Sequence, residues 1–242
     1  MEINKSNVDE VMKSEIIISD WDGVLQFIEW QWMIPIKANY DEIFYKFLDK
    51  DKLFNTTING FINRTDYYLD NYLKHNGLEL TYEQKELFMM AYTEDPFFYH
   101  KCPMLGMFDA LSKLSQEGFC SKIIILTQTP FPEGDPRKEY IFENVIKKIS
   151  TKFELVQIPN DKPKWEYISE NDLDFTVFID DRADIIKDVA INCGCKNRQF
   201  WMPRCGYNEH LFSDKGFLST LEFMNAKLCQ YDQRIIPPTT NS

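Results

Sequence analysis

Helical and strand-like patterns alternate regularly through the second half of the chain, and this alternation constrains the fold more than any other feature. Short apolar runs rich in Ile, Val and Phe are typical of buried strands, whereas the segments between them repeat apolar residues at helical spacing. Strands separated by helices form βαβ units, whose sheet is mostly parallel and covered by helices on both faces. The predicted strands are 15–19, 121–127, 153–158, 175–180 and 198–202, and the predicted helices are 105–118, 137–149, 163–171, 183–192 and 217–228.

The stretch between the first strand and Cys102 has a different pattern. Helical patterns cover 39–54, 63–77 and 81–92, and no strand pattern interrupts them. A long helical stretch between the first and second strands is typical of an inserted domain. We therefore predict an α/β protein with a Rossmann-like, doubly wound, mostly parallel sheet and an inserted all-helical cap. The predicted boundaries are 1–26 and 101–230 for the core, 27–100 for the cap and 231–242 for a flexible tail.

Composition and charge exclude several classes of protein. The 242-residue chain is 44% hydrophobic, which is ample for a packed core. Its 38 acidic and 27 basic residues give a net charge of −11, which makes nucleic-acid binding unlikely, although a local cationic pocket for a small phosphorylated substrate remains compatible. No apolar run approaches the roughly 20 residues of a membrane span, and the polar stretch "MEINKSNVDEVMKSE" has no signal-peptide core. We expect a cytoplasmic protein.

Six cysteines are spread thinly over the chain. In a reducing compartment such cysteines are most simply free thiols. Cys193, Cys195 and Cys205 suggest a zinc site, but their spacing lacks the paired C-x2-C pattern of structural zinc sites. Free thiols are the favoured interpretation.

Polar side chains follow three of the predicted strands. The first strand runs into Asp20 and Asp22 in "IIISDWDGVL", the second ends at Thr127, and a third ends at Asp180 and Asp181 in "FTVFIDDR". Because parallel sheets bind ligands at the carboxyl ends of their strands, we expect these side chains to meet. Paired carboxylates suit Mg²⁺, which keeps its remaining positions for water and phosphate.

Each feature also has a structural interpretation. A D-x-D sequence after a strand occurs in turns and helix caps, and Asp180 with Asp181 could cap the next helix. A calcium-binding loop starting at Asp20 is excluded, because Val24 and Gln31 stand where an oxygen ligand and a bidentate Glu belong. The joint pattern favours a site for a cation and a phosphoryl group.

The segments "IIISDWDGVL", "IIILTQT", a lysine that opens a helix, and "FTVFIDDR" resemble, in order, the four motifs of the haloacid dehalogenase-like phosphatases. The stretch "CPMLGMFDALSKLSQEGF" is similar to the family's return from the cap to the core. The resemblance covers about 15–27 and 101–205. It implies a Mg²⁺-dependent phosphomonoesterase that works through an aspartyl-phosphate intermediate.

The resemblance also implies roles for individual residues. Asp20 would be the nucleophile and Asp22 the general acid and base. Gly23, Thr127 and a lysine would bind the phosphoryl oxygens, and this lysine is either Lys164 or Lys162. The residues implied as ligands of Mg²⁺ are Asp20, the backbone carbonyl of Asp22, Asp180 and, nearby, Asp181.

Within the family, Asp22 argues against the dehalogenases, which need no acid for an alcohol leaving group. The segments "LTQTP", "FIDDR" and "FWMPRCGYN" resemble those of 5′-(deoxy)ribonucleotidases, although Gly206 and the preceding "RC" depart from the late pattern. Phe27, Trp30 and Trp32 could stack on a base or pack the cap on the core. Three alternatives stay open: a polynucleotide end phosphatase, transfer to an acceptor other than water, and a binding or structural protein that retains the fold.

Overall fold

Five parallel strands form one sheet in the order β3-β2-β1-β4-β5 in the computed structural model. The structure describes residues 15–28, 81–83, 93–194 and 196–203. The strands are β1 (Ile16–Ser19), β2 (Lys122–Thr129), β3 (Phe153–Pro159), β4 (Val177–Ile179) and β5 (Gln199–Trp201). The predicted strand positions are confirmed, with ends that differ by one or two residues.

The chain reverses its direction of travel across the sheet at β1. From β1 it passes to β2 and β3 on one side and then to β4 and β5 on the other. In the register, Ile17 of β1 pairs with Ile123 of β2 and with Val177 of β4. A doubly wound sheet leaves a crevice at such a switch point, beyond the carboxyl ends of the strands. The predicted doubly wound α/β fold is confirmed.

Helices cover both faces of the sheet. The helices are α1 (Gly106–Gln116), α2 (Pro136–Ile141), α3 (Lys147–Ile149), α4 (Lys164–Glu170) and α5 (Ala183–Cys193), with a π-helical turn at Phe142–Ile146 and a 3-10 turn at Tyr99–Lys101. The predicted single helix over 137–149 is therefore interrupted by the π-helical turn.

Neighbouring strand residues belong to opposite cores. Ile17 packs with residues of α1 and of the α2 segment on one face, whereas Ile18 packs with Ile168 of α4 and Val189 of α5 on the other. Consecutive strand residues point to opposite faces. Because both faces are buried, the strands read as continuous apolar runs rather than as an alternating pattern.

Two chain segments run side by side where the predicted cap joins the core. The Phe27 amide donates to the Pro103 carbonyl at 2.9 Å, and the Leu105 amide donates to the Leu25 carbonyl at 2.8 Å. The buried Gln26 amide group crosses between them and donates to the carbonyls of Tyr99 and Cys102, at 3.1 Å each. We call this pairing of residues 25–28 with 99–105 the hinge clamp.

Most of the predicted cap lies outside the described residues, as do the N-terminal 1–14, the predicted helix 217–228 and the predicted tail 231–242. Inside the cap range, residues 82–83 and 93–94 are helical. Within the described part of the chain, no helix has the length and apolar character that crossing a bilayer requires.

Candidate active site

The two aspartates after β1 lie in a tight turn at the carboxyl end of the central strand. The Asp20 amide donates to the Ile179 carbonyl of β4 at 2.8 Å, so the Asp20 backbone is still bound to the sheet. Gly23 has φ of +73°, a conformation that residues with a Cβ rarely adopt. Its amide donates to the Gln26 carbonyl at 2.9 Å and closes the turn.

Lys164 is the first residue of α4 and is only 3% exposed. Its Nζ lies 2.7 Å from Asp20 Oδ1 and 2.7 Å from Asp180 Oδ2. Lys162, the alternative predicted from the sequence, pairs instead with Glu170 and is partly exposed. The helix starts one residue after Pro163, which leaves Lys162 in the preceding loop.

The loop before α4 is held by the residue that follows Thr127. Gln128 Nε2 donates to the carbonyls of Asn160 and Lys162, at 3.1 and 2.9 Å. These hydrogen bonds connect the end of β2 to the loop that precedes Lys164. They fix the position of this loop relative to β2 at the carboxyl end of the sheet.

A second lysine, Lys138 on α2, enters the same cluster. It is 1% exposed, and its Nζ lies 2.7 Å from Asp22 Oδ2 and 2.7 Å from Thr127 Oγ1. The rings of Trp21 and Tyr99 have their centroids 5.8 and 5.2 Å from this ammonium group. Each of the two aspartates after β1 therefore has its own buried lysine.

Lys138 was not among the residues predicted from the sequence. A usable signal exists, because Lys138 lies three and four residues before Ile141 and Phe142, which form the buried side of this helical segment. Residues at these spacings share one helix face. A lysine on an apolar face is seldom buried without a partner, so its position indicated an anionic partner inside the molecule.

Three carboxylates form a group that could hold a cation. One oxygen from each of Asp20, Asp180 and Asp181 lies within 4.8 Å of the others, and all three residues are buried. Clustered carboxylate oxygens are the donors that Mg²⁺ prefers, so these residues fit the predicted ion. The Asp22 carboxylate is not a member of this group, and its Oδ2 is held by Lys138.

Burial and charge shift the pKa values of these groups in ways that suit acid–base chemistry. Burial raises the pKa of Asp22 above its usual range, and the nearby Asp20 adds to the shift, although Lys138 opposes it. Burial also raises the pKa of Asp180 to about 6, against the attraction of Lys164. For Lys164, burial favours a lower pKa, but the attraction of Asp180 and Asp20 outweighs it and raises the pKa.

The helix-cap interpretation of Asp180 is met only in part, because the N-cap position of α5 is occupied by Arg182. Asp180 Oδ1 accepts a hydrogen bond from the Arg182 amide at 2.9 Å, at the start of α5. The Arg182 side chain pairs with Asp184 on the same helix. Because each carboxylate oxygen has two lone pairs, this hydrogen bond does not prevent Asp180 from binding a cation.

The zinc site considered from the sequence lies mostly outside the described residues, because Cys195 and Cys205 belong to the undescribed parts of the chain. Cys193 is at the end of α5, on the face of the sheet packed by α4, and its thiol is free.

Solved structures resemble the chain over most of its length. A haloacid dehalogenase-like family hydrolase from Streptococcus pneumoniae is 15% identical, with a TM-score of 0.50 over 90% of this chain and 91% of that one. A predicted phosphoglycolate phosphatase from Haemophilus somnus is 14% identical, with a TM-score of 0.52 over 88% and 98%. A predicted phosphatase from Clostridium acetobutylicum is also 14% identical, with a TM-score of 0.52 over 89% and 98%.

No protein-family model matches the chain, and no curated protein matches it at a significant level. The structural similarity therefore exists at sequence identities where only the fold is comparable. The sequence motifs predicted the same fold from "IIISDWDGVL", "IIILTQT" and "FTVFIDDR". The chain has the fold of the haloacid dehalogenase-like hydrolases.

Proposed function

We propose that this protein is a phosphomonoesterase that transfers the phosphoryl group of a small metabolite first to Asp20 and then to water. One observation carries the proposal: Asp20 and Asp22 lie together at the carboxyl end of the central strand, and each contacts a different buried lysine. Two carboxylates with cations beside them match the needs of covalent phosphoryl transfer.

In the first step, an Asp20 oxygen attacks phosphorus and the bond from phosphorus to the ester oxygen breaks. Asp22 donates a proton to the departing oxygen, which leaves as an alcohol. Lys164, already in contact with Asp20, stabilises the negative charge on the transferring phosphoryl group. The Thr127 hydroxyl and the backbone of the turn at Gly23 would bind other phosphoryl oxygens.

In the second step, water attacks the phosphorus of the aspartyl phosphate. Asp22, now deprotonated, takes a proton from this water, and the bond between Asp20 and phosphorus breaks to release inorganic phosphate. Burial raises the pKa of Asp22, which helps the same carboxyl group to act as an acid first and as a base afterwards.

Asp20, Asp180 and Asp181 are the side chains that would hold Mg²⁺, with the Asp22 carbonyl as the further ligand expected from the sequence. When bound, this ion would neutralise charge on the phosphoryl oxygens. It would also offset the repulsion among the three buried carboxylates, which Lys164 alone compensates in part.

We propose that the substrate is a small phosphate ester and that the protein acts on it in the cytoplasm. A 5′-nucleotide is the finer proposal and rests on the sequence resemblance alone. Three aromatic residues are candidates for base stacking. Phe27 is half-buried and belongs to the hinge clamp, whereas Trp30 and Trp32 lie outside the described residues. Phosphoglycolate belongs on a substrate panel because the similar structure from Haemophilus somnus is described as a predicted phosphoglycolate phosphatase.

The proposal is tested by measuring phosphate release from p-nitrophenyl phosphate, mononucleotides and phosphoglycolate, with Mg²⁺ or with EDTA. We expect release with Mg²⁺ that EDTA abolishes and that Asp20→Asn lowers by at least about 1,000-fold. Asp174→Asn is a matched control, because Asp174 is exposed and pairs only at 3.4 Å with Arg198.

Absence of turnover by folded, Mg²⁺-loaded protein across the panel would contradict the proposal and favour a binding protein with this fold. Release of phosphate only when an alcohol acceptor is supplied would instead identify a phosphotransferase. Hydrolysis of a 5′-phosphorylated oligonucleotide, but of no mononucleotide, would identify the polynucleotide end phosphatase.

A further inference from the structure

We propose that Lys138 is a positioning residue that selects which oxygen of Asp22 exchanges a proton with the substrate. This inference rests on the proposed function and goes beyond it, because Lys138 belongs to none of the motifs by which the chain resembles its family. It is carried by the contacts of the Lys138 ammonium group.

Lys138 holds one oxygen of Asp22 and leaves the other without a partner. Its Nζ donates to Asp22 Oδ2 at 2.7 Å. Asp22 Oδ1 is buried and, among the residues that the structure describes, has no hydrogen-bond partner. A buried polar atom without a partner is rare and costly, so a ligand is the natural partner of Oδ1. The free oxygen is therefore the one suited to give a proton to the leaving group.

The same ammonium group also orients Thr127. Lys138 donates to Thr127 Oγ1 at 2.7 Å, so this oxygen is an acceptor toward the lysine. The Gln128 carbonyl lies 3.5 Å from Oγ1, at the outer limit of a hydrogen bond. The hydroxyl proton therefore remains available for a phosphoryl oxygen.

Rigid surroundings keep Lys138 in this position. Trp21 and Tyr99 face the ammonium group with ring centroids at 5.8 and 5.2 Å, distances at which aromatic rings attract cations. Lys138 is 1% exposed, and a long side chain packed in this way loses most of its rotamers. The lysine thus acts as a fixed support for Asp22 and Thr127.

The test uses the dependence of the reaction on its leaving group. The phenolate of p-nitrophenyl phosphate departs without a proton, whereas the alkoxide of an alkyl phosphate needs one. If Lys138 positions Asp22 for proton donation, Lys138→Met lowers kcat by about 100-fold or more on an alkyl phosphate but by about 10-fold or less on p-nitrophenyl phosphate. Lys138→Arg keeps the donors and the charge, so we expect it to return this ratio to within about threefold of the native value.

Two further variants complete the experiment. Lys148→Met is a matched control, because Lys148 is exposed on α3, and it should leave both activities unchanged. The second comparison is between Asp22→Asn and the double variant Asp22→Asn/Lys138→Met. The double variant removes the buried charge together with its partner, so the role of Lys138 can still be tested if Lys138→Met alone does not fold. In the Asp22→Asn background, Lys138→Met should lower kcat on the alkyl phosphate by about 10-fold or less, because only the contact of Lys138 with Thr127 is then lost.

Equal losses on both substrates in Lys138→Met, or a full additional loss in the Asp22→Asn background, would overturn the positioning role. If neither the native protein nor Lys148→Met hydrolyses either substrate, the proposed function would be overturned, and this inference with it. If the native protein hydrolyses both substrates but Lys138→Met leaves the ratio of the two kcat values unchanged, only the inference about Lys138 would be overturned.

Discussion

Lys164 contacts two carboxylates from different strands, and this explains how like charges can be buried side by side. Asp20 follows β1 and Asp180 follows β4, and both lie 2.7 Å from the same ammonium group. Removing one partner of a buried ion pair leaves an uncompensated charge, which usually costs about 3–5 kcal/mol. Lys164 therefore stabilises the site and, in the proposed reaction, also binds the phosphoryl group.

Replacement of the two neighbouring lysines distinguishes their roles. Lys164→Met should lower kcat by about 100- to 1,000-fold, because it removes a buried donor from the site of charge development. Lys162→Met should change kcat by less than about threefold, since Lys162 pairs with Glu170 at a partly exposed position and such pairs contribute little to stability. Steady-state kinetics at saturating Mg²⁺ measures both, and a larger loss in Lys162→Met would contradict the assignment.

At this scale the sequence predicted which residue types gather, but not every contact. Asp20 and Asp180 could be predicted because they follow strands in recognisable motifs, whereas the sequence left the lysine open between Lys164 and Lys162. Lys138 was missed because it belongs to no motif. Its place on the apolar face of a helix indicates a buried anionic partner, but it does not identify Asp22 or Thr127, which are far away in the sequence.

The hinge clamp links the turn after β1 to the segment that returns from the predicted cap. Trp21, which stands between Asp20 and Asp22, is fully buried, and its indole donates to Gln26 Oε1 at 2.8 Å. The amide group of Gln26 then donates to two carbonyls of the returning segment. Hydrogen bonds through Gln26 thus join the turn that carries Asp20 and Asp22 to residues 99–102 of the returning segment.

Gln26→Leu should lower the free energy of unfolding by about 2–4 kcal/mol, because a buried indole loses its acceptor and two hydrogen bonds disappear. The exposed Gln116 at the end of α1 offers a control, and Gln116→Leu should change stability by about 0.5 kcal/mol or less. Urea unfolding followed by circular dichroism measures both. Equal free energies of unfolding for the two variants would show that the hydrogen bonds of Gln26 do not stabilise the protein.

Periodicity predicted the strands and helices well, but it could not predict the hinge clamp. Ile and Val runs identify β1 and β2 because buried parallel strands need apolar side chains on both faces. Gln26 has no comparable signal, because its partners are backbone carbonyls that any residue supplies. The interruption of the 137–149 helix by a π-helical turn was likewise not predicted, since the apolar spacing tolerates both helix types.

The whole molecule carries a net charge of −11, yet the proposed substrate is an anion. Lys138 and Lys164 lie buried at the carboxyl end of the sheet beside four aspartates, so the site would attract an anion only with a cation held by Asp20, Asp180 and Asp181. Electrostatic attraction of a small ligand depends on the field inside its cleft rather than on the overall charge. The acidic composition is therefore compatible with a small phosphorylated substrate.

The fold could be predicted from the sequence because its defining features are local. Strand runs, helix stops and the motifs after β1, β2 and β4 each occupy a few consecutive residues. Substrate choice could not be predicted in the same way, because the motifs concern the phosphoryl group, which all the candidate substrates share. The predicted cap, 27–100, lies largely outside the described residues.

The central claim is that Asp20 carries the phosphoryl group during turnover, and chemical trapping tests it most directly. Protein mixed with the best panel substrate and Mg²⁺ would be quenched with borohydride, which reduces an acyl phosphate to an alcohol. Peptide mass spectrometry should then find homoserine in place of aspartate at position 20, and unmodified aspartate at 22 and 180. Phosphate release without reduction at Asp20, or with reduction at another aspartate, would contradict the proposed mechanism.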